Sequence, residues 1–355
     1  MEKSQLINLI GVPEARLKAT FVEWGIAPYR ALQVLNWIYN YQVERFDEMT
    51  NLSKDLRGRL ARHYYIELPK IAEQTFSKDG TIKYLFDLAN GSQVESVWMP
   101  DKKRNTLCIS TQVGCRLACS FCLTGTLGLK GNLSTAEIIG QYMAVNRELP
   151  KADQITNIVF MGMGEPLDNY HPVCEALRLM TSPRAMRISN RRITLSTAGL
   201  VDKIEQFKNE NLPVNLAISL NATEDSTRNE IMPINKKYPI RVLLDCLRSY
   251  PLKPTRRITF EYVLLKGIND THGDAKRLAK LLHGIPSKIN LIPFNGFAES
   301  DYQAPAETTI LAFQKYLLSK NYSVFIRKNR GTDILGACGQ LAARSFKETS
   351  VTVSS

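Results

Sequence analysis

The chain has 355 residues, 44% of them hydrophobic, and carries 46 Lys and Arg against 34 Asp and Glu for a net charge of +12; that allows one large domain with a smaller one and an ordinary core. No run of about 18 apolar residues occurs, the opening MEKSQLINLIGVPEARLK lacks a signal peptide's apolar centre, and seven cysteines suit a reducing compartment, so a cytoplasmic protein with no membrane partner is expected. The basic balance points to a polyanionic partner, nucleic acid first.

Residues 1–70 read as a small helical domain. Ala31, Leu35 and Ile38 recur at helical spacing on one face. Arg30, Arg45, Lys54, Arg57, Arg59 and Arg62 decorate it, either as a solvated surface or as contacts to RNA phosphates. Residues 71–100 read as a β-hairpin linker, because Asn90-Gly91 separates two β-like runs. Glu95 falls in the second run between Val94 and Val97, where the pattern alone predicts a solvent-facing charge.

From residue 101 to 345 apolar runs alternate with helical patterns. Strands are expected at 107–111, 157–163, 192–198, 214–220, 258–264 and 289–294, with a last one at 322–328. Strand and helix in alternation predict a parallel α/β sheet. Six units fall short of the eight that close a full barrel, so a partial (β/α)6 barrel is expected, its site at the C-terminal strand ends. Residues 346–355 read as a flexible tail.

The run GCRLACSFCLTG places Cys115, Cys119 and Cys122 in a C-x3-C-x2-C spacing. A closed zinc site needs four ligands, usually two close pairs. Three thiolates on one loop suit three corners of an iron–sulfur cluster with one iron left open. A zinc ribbon with a remote second half is the alternative. Gly164 and Glu165, Ser196, Ser219 with Asn221, and Asn295 fall at successive strand ends, where they would converge on one ligand or serve ordinary turn chemistry. Cys174 and Cys246 sit in helical patterns and read as core. The four histidines have no ligand spacing.

The cysteine spacing resembles the radical S-adenosylmethionine superfamily, with Phe121 as the favoured aromatic before the last cysteine. Taken with FMGMGEP, STAG, SLNA, the terminal ACGQLA and the DEMTNLSKDLR stretch, the chain resembles the RlmN/Cfr family of RNA adenosine methyltransferases along nearly its whole length. The resemblance implies a [4Fe–4S] cluster on the three cysteines. S-adenosylmethionine would be held by Gly164, Glu165, Ser196, Ser219, Leu220, Asn221 and Asn295, and split to a 5′-deoxyadenosyl radical.

It further implies a methyl group carried by Cys338, Glu95 as general base, and Cys108 as the thiol that resolves the cross-link through a disulfide with Cys338. Cys338 lies in a glycine-bearing loop outside any apolar periodicity. The family usually has His at Asn221 and an Asp-Ala pair at Leu335-Gly336. Glu165-Pro166, the PFN ending at Asn295, and Arg330-Gly331 resemble the branch that methylates adenine C2 in 23S rRNA, and in some members a tRNA adenosine. The other branch, which methylates C8, is the alternative. An electron donor such as flavodoxin or ferredoxin is implied. Arg184, Arg187, Arg191, Arg192, Lys102, Lys103, Arg104, Lys236, Lys237, Arg256 and Arg257 are candidate phosphate contacts. Two further readings stay open: a radical enzyme acting on a small molecule or peptide, and an RNA-binding protein with a structural metal.

Overall fold

The computed structural model describes residues 6–102 and 104–343. Lys103 and the tail expected at 346–355 lie outside the described residues. In chain order the elements are β1 (Ile7–Asn8), α1 (Glu14–Glu23), α2 (Arg30–Tyr39), α3 (Lys54–His63), β2 (Tyr64–Tyr65), β3 (Lys70–Phe76), β4 (Ile82–Asp87), β5 (Gln93–Met99), β6 (Thr106–Cys108) and β7 (Gln112–Gly114). Then follow α4 (Leu123–Thr126), β8 (Leu129–Asn132), α5 (Thr135–Glu148), β9 (Asn157–Phe160), α6 (Tyr170–Thr181), β10 (Ile193–Thr197), α7 (Val201–Lys208) and β11 (Asn215–Ser219). The last are α8 (Asp225–Ile231), α9 (Ile240–Arg248), β12 (Ile258–Leu264), α10 (His272–Leu281), β13 (Ser287–Pro293), α11 (Glu307–Ser319) and β14 (Ser323–Ile326).

The N-terminal helices bury one stripe each: Leu17 and Phe21 of α1, Ala31, Val34, Leu35 and Ile38 of α2, Leu56 and Leu60 of α3. Each fully buried Leu or Ile contributes about 2 kcal/mol of transfer free energy. Ser53 caps α3, its hydroxyl accepting from the Leu56 N–H at 3.2 Å. The domain joins the barrel backbone to backbone. Gly11 has φ +87°, and a Cβ there would stand 2.6 Å from the Ala136 nitrogen at the start of α5. Arg184 reaches back across this seam to Glu14 at 2.9 Å. Of the arginines expected to face RNA, Arg45 pairs with Asp47 and Arg59 donates to the Trp24 carbonyl at 3.0 Å while lying over its ring.

β6, β9, β10, β11, β12, β13 and β14 form a parallel run in that order. Six strand–helix units followed by β14 make the expected open barrel. The hairpin differs from its expectation as a linker. β4 pairs antiparallel with β5 from Ile82↔Trp98 to Asp87↔Gln93, and β5 continues onto β6. β3 pairs outside β4, so one sheet of ten strands runs from β14 to β3. The reason is burial: β4 and β5 are covered on both faces, the Lys83–Glu95 pair included, and only a place inside a sheet covers both.

Candidate active site

The three-cysteine loop hangs from a hairpin that sequence periodicity does not reveal, β7 against β8. Gly114 ends β7 with φ +75°, and a Cβ there would lie 1.8 Å from the Gly128 carbonyl oxygen, so only glycine closes this hairpin. The Cys115 N–H donates to that same carbonyl at 3.0 Å. Beyond a bend at Ala118 (φ +51°), the Cys122 N–H donates to the Cys119 carbonyl at 3.1 Å.

Cys115, Cys119 and Cys122 line one cavity. Burial pushes the Cys115 thiol up to about 12 and raises Cys119 as well, and the neighbouring sulfurs add to both. At Cys122 burial also dominates, opposed by hydrogen bonds from Gly125 and Thr124. Among the described residues, no three His, Cys, Asp or Glu side chains group tightly enough for a single ion. A [4Fe–4S] cluster takes each cysteine on a different iron, so its ligands stand farther apart than those of one zinc. Buried thiols that a metal must ionise, with amide donors aimed at sulfur, are a donor set that fits a cluster.

Strand ends bring the other expected residues to the same cavity. Gly164, Glu165, Ser196, Ser219, Asn221 and Asn295 all line it. Gly164 has φ +96°, and a Cβ would meet Gln112 Cβ at 2.5 Å. Glu165 is buried, and its carboxylate accepts from the Leu167 N–H at 3.0 Å and the Ala198 N–H at 2.8 Å. Burial lifts its pKa to about 7 against those bonds. Asn221 occupies the left-handed region (φ +57°) and turns its side chain to the protein: Oδ1 accepts from the Val263 N–H at 2.9 Å. Asn295 Nδ2 donates to the Cys338 carbonyl at 3.2 Å, while its Oδ1 is buried without a protein partner. Leu220 is the exception. Its side chain, just past the end of β11, is fully buried in the core and does not line the cavity.

The C-terminal loop closes over the cysteine loop. The Leu123 N–H donates to the Gly339 carbonyl at 2.7 Å and Thr124 Oγ1 to the Leu341 carbonyl at 2.6 Å. Gln340 Nε2 donates to the Gly296 carbonyl at 2.6 Å. Cys338 is thereby held where two cavities meet. The second contains Cys108 and shares Met161, Glu261, Ile292, Asn295, Cys338 and Leu341 with the first. Both cysteines are free thiols, Cys338 open to the cavity and Cys108 buried. Desolvation by the surrounding protein raises each to about 12, with Arg327 opposing it.

Glu95 lines neither cavity, and it is not the solvent-facing charge its pattern predicts. It is 1% exposed and pairs with buried Lys83 at 2.9 Å. Its Oε2 accepts from the N–H groups of Ala342 and Ala343 at 2.9 and 3.1 Å. Val97 and Met99, on the same face of β5, do reach the second cavity.

Two residues escaped the sequence reading. Glu261 of β12 lines both cavities, is held by Asn290 Nδ2 at 2.8 Å, and has its pKa raised by burial. The signal was a lone carboxylate inside the apolar run ITFEYVL. Arg228 of α8 is fully buried behind the ends of β10 and β11; nothing in the exposed-looking stretch DSTRNEI marked it.

Residues 7–66 match the family described as Ribosomal RNA large subunit methyltransferase N-terminal domain, and residues 109–279 match the Radical SAM superfamily. The chain is 50% identical over 320 residues to the "Dual-specificity RNA methyltransferase RlmN" of Pelobacter propionicus, covering 90% of this chain and 91% of that protein. It is 50% identical over 339 residues to the protein of the same name from Geobacter sulfurreducens, covering 96% and 93%. A crystal structure described as a radical SAM methyltransferase from Sphaerobacter thermophilus superposes with a TM-score of 0.88 at 38% identity, covering 95% of this chain and all of that one. An open parallel barrel, a three-cysteine loop at its strand ends and these relatives lead to one conclusion: the chain belongs to the RlmN family of radical SAM RNA methyltransferases, enzymes that work with a [4Fe–4S] cluster and S-adenosylmethionine.

Proposed function

We propose that the protein methylates C2 of an adenosine in 23S rRNA, with a tRNA adenosine as second substrate, and that Cys338 carries the methyl group. One observation carries the reading: Cys338 lines both the cavity of the three cluster cysteines and the cavity of Cys108. Adenine C2 is an sp2 carbon too weakly nucleophilic to take a methyl group directly, so a polar transfer fails. Cluster and S-adenosylmethionine together would supply a carbon radical able to remove a hydrogen atom.

Cys338 first takes a methyl group as a thiolate; its S–C bond forms as the donor's sulfonium S–C bond breaks. Desolvation by the surrounding protein pushes its thiol pKa up. Arg327, which opposes that rise, and the positive charge of the methyl donor both favour ionisation. Loss of one hydrogen atom from the S-methyl leaves a carbon radical on Cys338, which adds to C2. The adduct then gives up the ring proton and one electron, which the oxidised cluster would accept.

Glu95 is the base in this reading, and it must first leave the amides of Ala342 and Ala343. Cys108 attacks the Cys338 sulfur: an S–S bond forms, the S–CH2 bond breaks, and the carbon takes a proton to become the methyl group. Two electrons from a reductant restore both thiols. Flavodoxin or ferredoxin is the electron donor in this reading, and the cytoplasm its setting.

The test is anaerobic reaction of reconstituted protein with unmodified 23S rRNA, followed by mass spectrometry of nucleosides against 2-methyl and 8-methyl standards. The 2-methyl product is expected; 8-methyl adenosine would overturn the position assignment. Cys108→Ala should accumulate protein with covalently attached RNA, and normal turnover by that variant would remove Cys108 from the mechanism.

A further inference from the structure

Arg228 is the largest fully buried side chain of the described residues, at 0% exposure. A buried guanidinium is normally matched by a carboxylate, because an unpaired buried charge is costly. Here every partner is neutral. Nε donates to the Leu220 carbonyl at 3.0 Å and Nη1 to Asn235 Oδ1 at 3.0 Å. Nη2 donates to the carbonyls of Ala198 at 2.7 Å and Ser219 at 3.2 Å. Asp225 is the nearest acidic group, and its Oδ1 is taken by Asn235 Nδ2 at 2.9 Å and the Ile240 N–H at 2.9 Å. The positive charge is therefore solvated by dipoles and left without an ion-pair partner.

The charge stands beside the cluster loop. The Ser120 N–H, next to Cys119, donates to the carbonyl of Ile231 at the end of α8, at 3.1 Å. Ile231 and Met232 pack with Leu117 and Leu123 in an apolar cluster that also touches Cys115 and Cys119. The medium between guanidinium and sulfur is thus protein rather than water, and the charge acts there with little screening.

We propose that Arg228 is a positioning and tuning residue for the redox centre: it ties together the ends of β10 and β11 and supplies, from the helix to which the cysteine loop is hydrogen-bonded, a positive charge without an ion-pair partner that favours the reduced cluster. Reduction adds one negative charge to a centre already held by three thiolates. A fixed cation beside it stabilises the product of that step more than the reactant, and raises the midpoint potential. This rests on the cluster belonging to the three cysteines, which iron and sulfide content check separately.

The test is a potentiometric titration of the anaerobically reconstituted protein, followed by electron paramagnetic resonance, without RNA. Arg228→Gln keeps donors to the carbonyls but removes the charge. At a fixed applied potential its ratio of reduced to oxidised cluster should fall at least tenfold, a downward midpoint shift of about 59 mV for one electron. Arg228→Lys keeps the charge and loses most of the hydrogen bonds, and its ratio should stay within twofold of the parent. Equal midpoints for Arg228→Gln and the parent would overturn the proposal, as would a shift in Arg228→Lys as large as in Arg228→Gln. Should Arg228→Gln bind no iron, Arg228→Lys decides: a cluster with the parental midpoint supports the role of charge, and loss of iron there too reduces Arg228 to a structural tie.

Discussion

The barrel rim and the hairpin beside it each bury a glutamate, and they keep it in opposite ways. At the rim, Glu165 has two backbone amides and no cation, and its pKa is lifted to about 7 by burial. In β5, Glu95 is equally buried but meets the Lys83 ammonium at 2.9 Å as well as two amides. The rim carboxylate fastens one strand-end loop to the next beside the cavity. The hairpin carboxylate is paired with a lysine and covered by the chain that follows Cys338. Burial alone therefore does not say what a carboxylate is for; its partners do.

The contrast can be broken most sharply at Lys83. Lys83→Met leaves Glu95 buried without its cation and should cost about 3–5 kcal/mol in urea unfolding. Lys83→Met combined with Glu95→Met should recover most of that loss; no recovery would mean the pair is not the cause.

The rim comes next. Between pH 4.5 and about 7 native Glu165 keeps a proton that the unfolded chain releases. Stability should therefore fall as pH rises through that window, by about 3 kcal/mol in total. Glu165→Gln should flatten this component of the pH profile, and an unchanged profile would contradict the assignment.

Gly114→Ala is expected to cost about 1–3 kcal/mol in strain and to lower the iron bound per chain, while leaving far-ultraviolet dichroism unaltered. Retained iron would show that the hairpin does not shape the loop. The smallest effect concerns neither carboxylate: binding of an rRNA fragment should weaken linearly on a log–log scale as salt rises, with equal slopes for the parent and Glu165→Gln. A flat response would argue against phosphate contacts.

The strands of the barrel were legible because their apolar runs are buried on both faces and end in Gly, Ser or Asn. That Cys115, Cys119 and Cys122 would meet at one cavity was legible because all three sit on one short loop. The burial of the Leu220 side chain in the core was not legible, because a motif names neighbours in sequence and not the direction each side chain takes. Glu95 was misread by pattern because its cation, Lys83, lies across a hairpin and its amide donors lie 247 and 248 residues away. Arg228 left no local mark because its partners, Asn235 apart, are backbone carbonyls, which any sequence has.

Isotope transfer from S-adenosylmethionine bearing a CD3 group tests the central claim most directly. With Cys338 as carrier, one deuterium is lost when the S-methyl gives up its hydrogen atom, so the methylated adenosine should contain two deuteriums, and Cys338→Ala should give no product. Product retaining all three deuteriums would mean direct polar transfer, and would contradict the account.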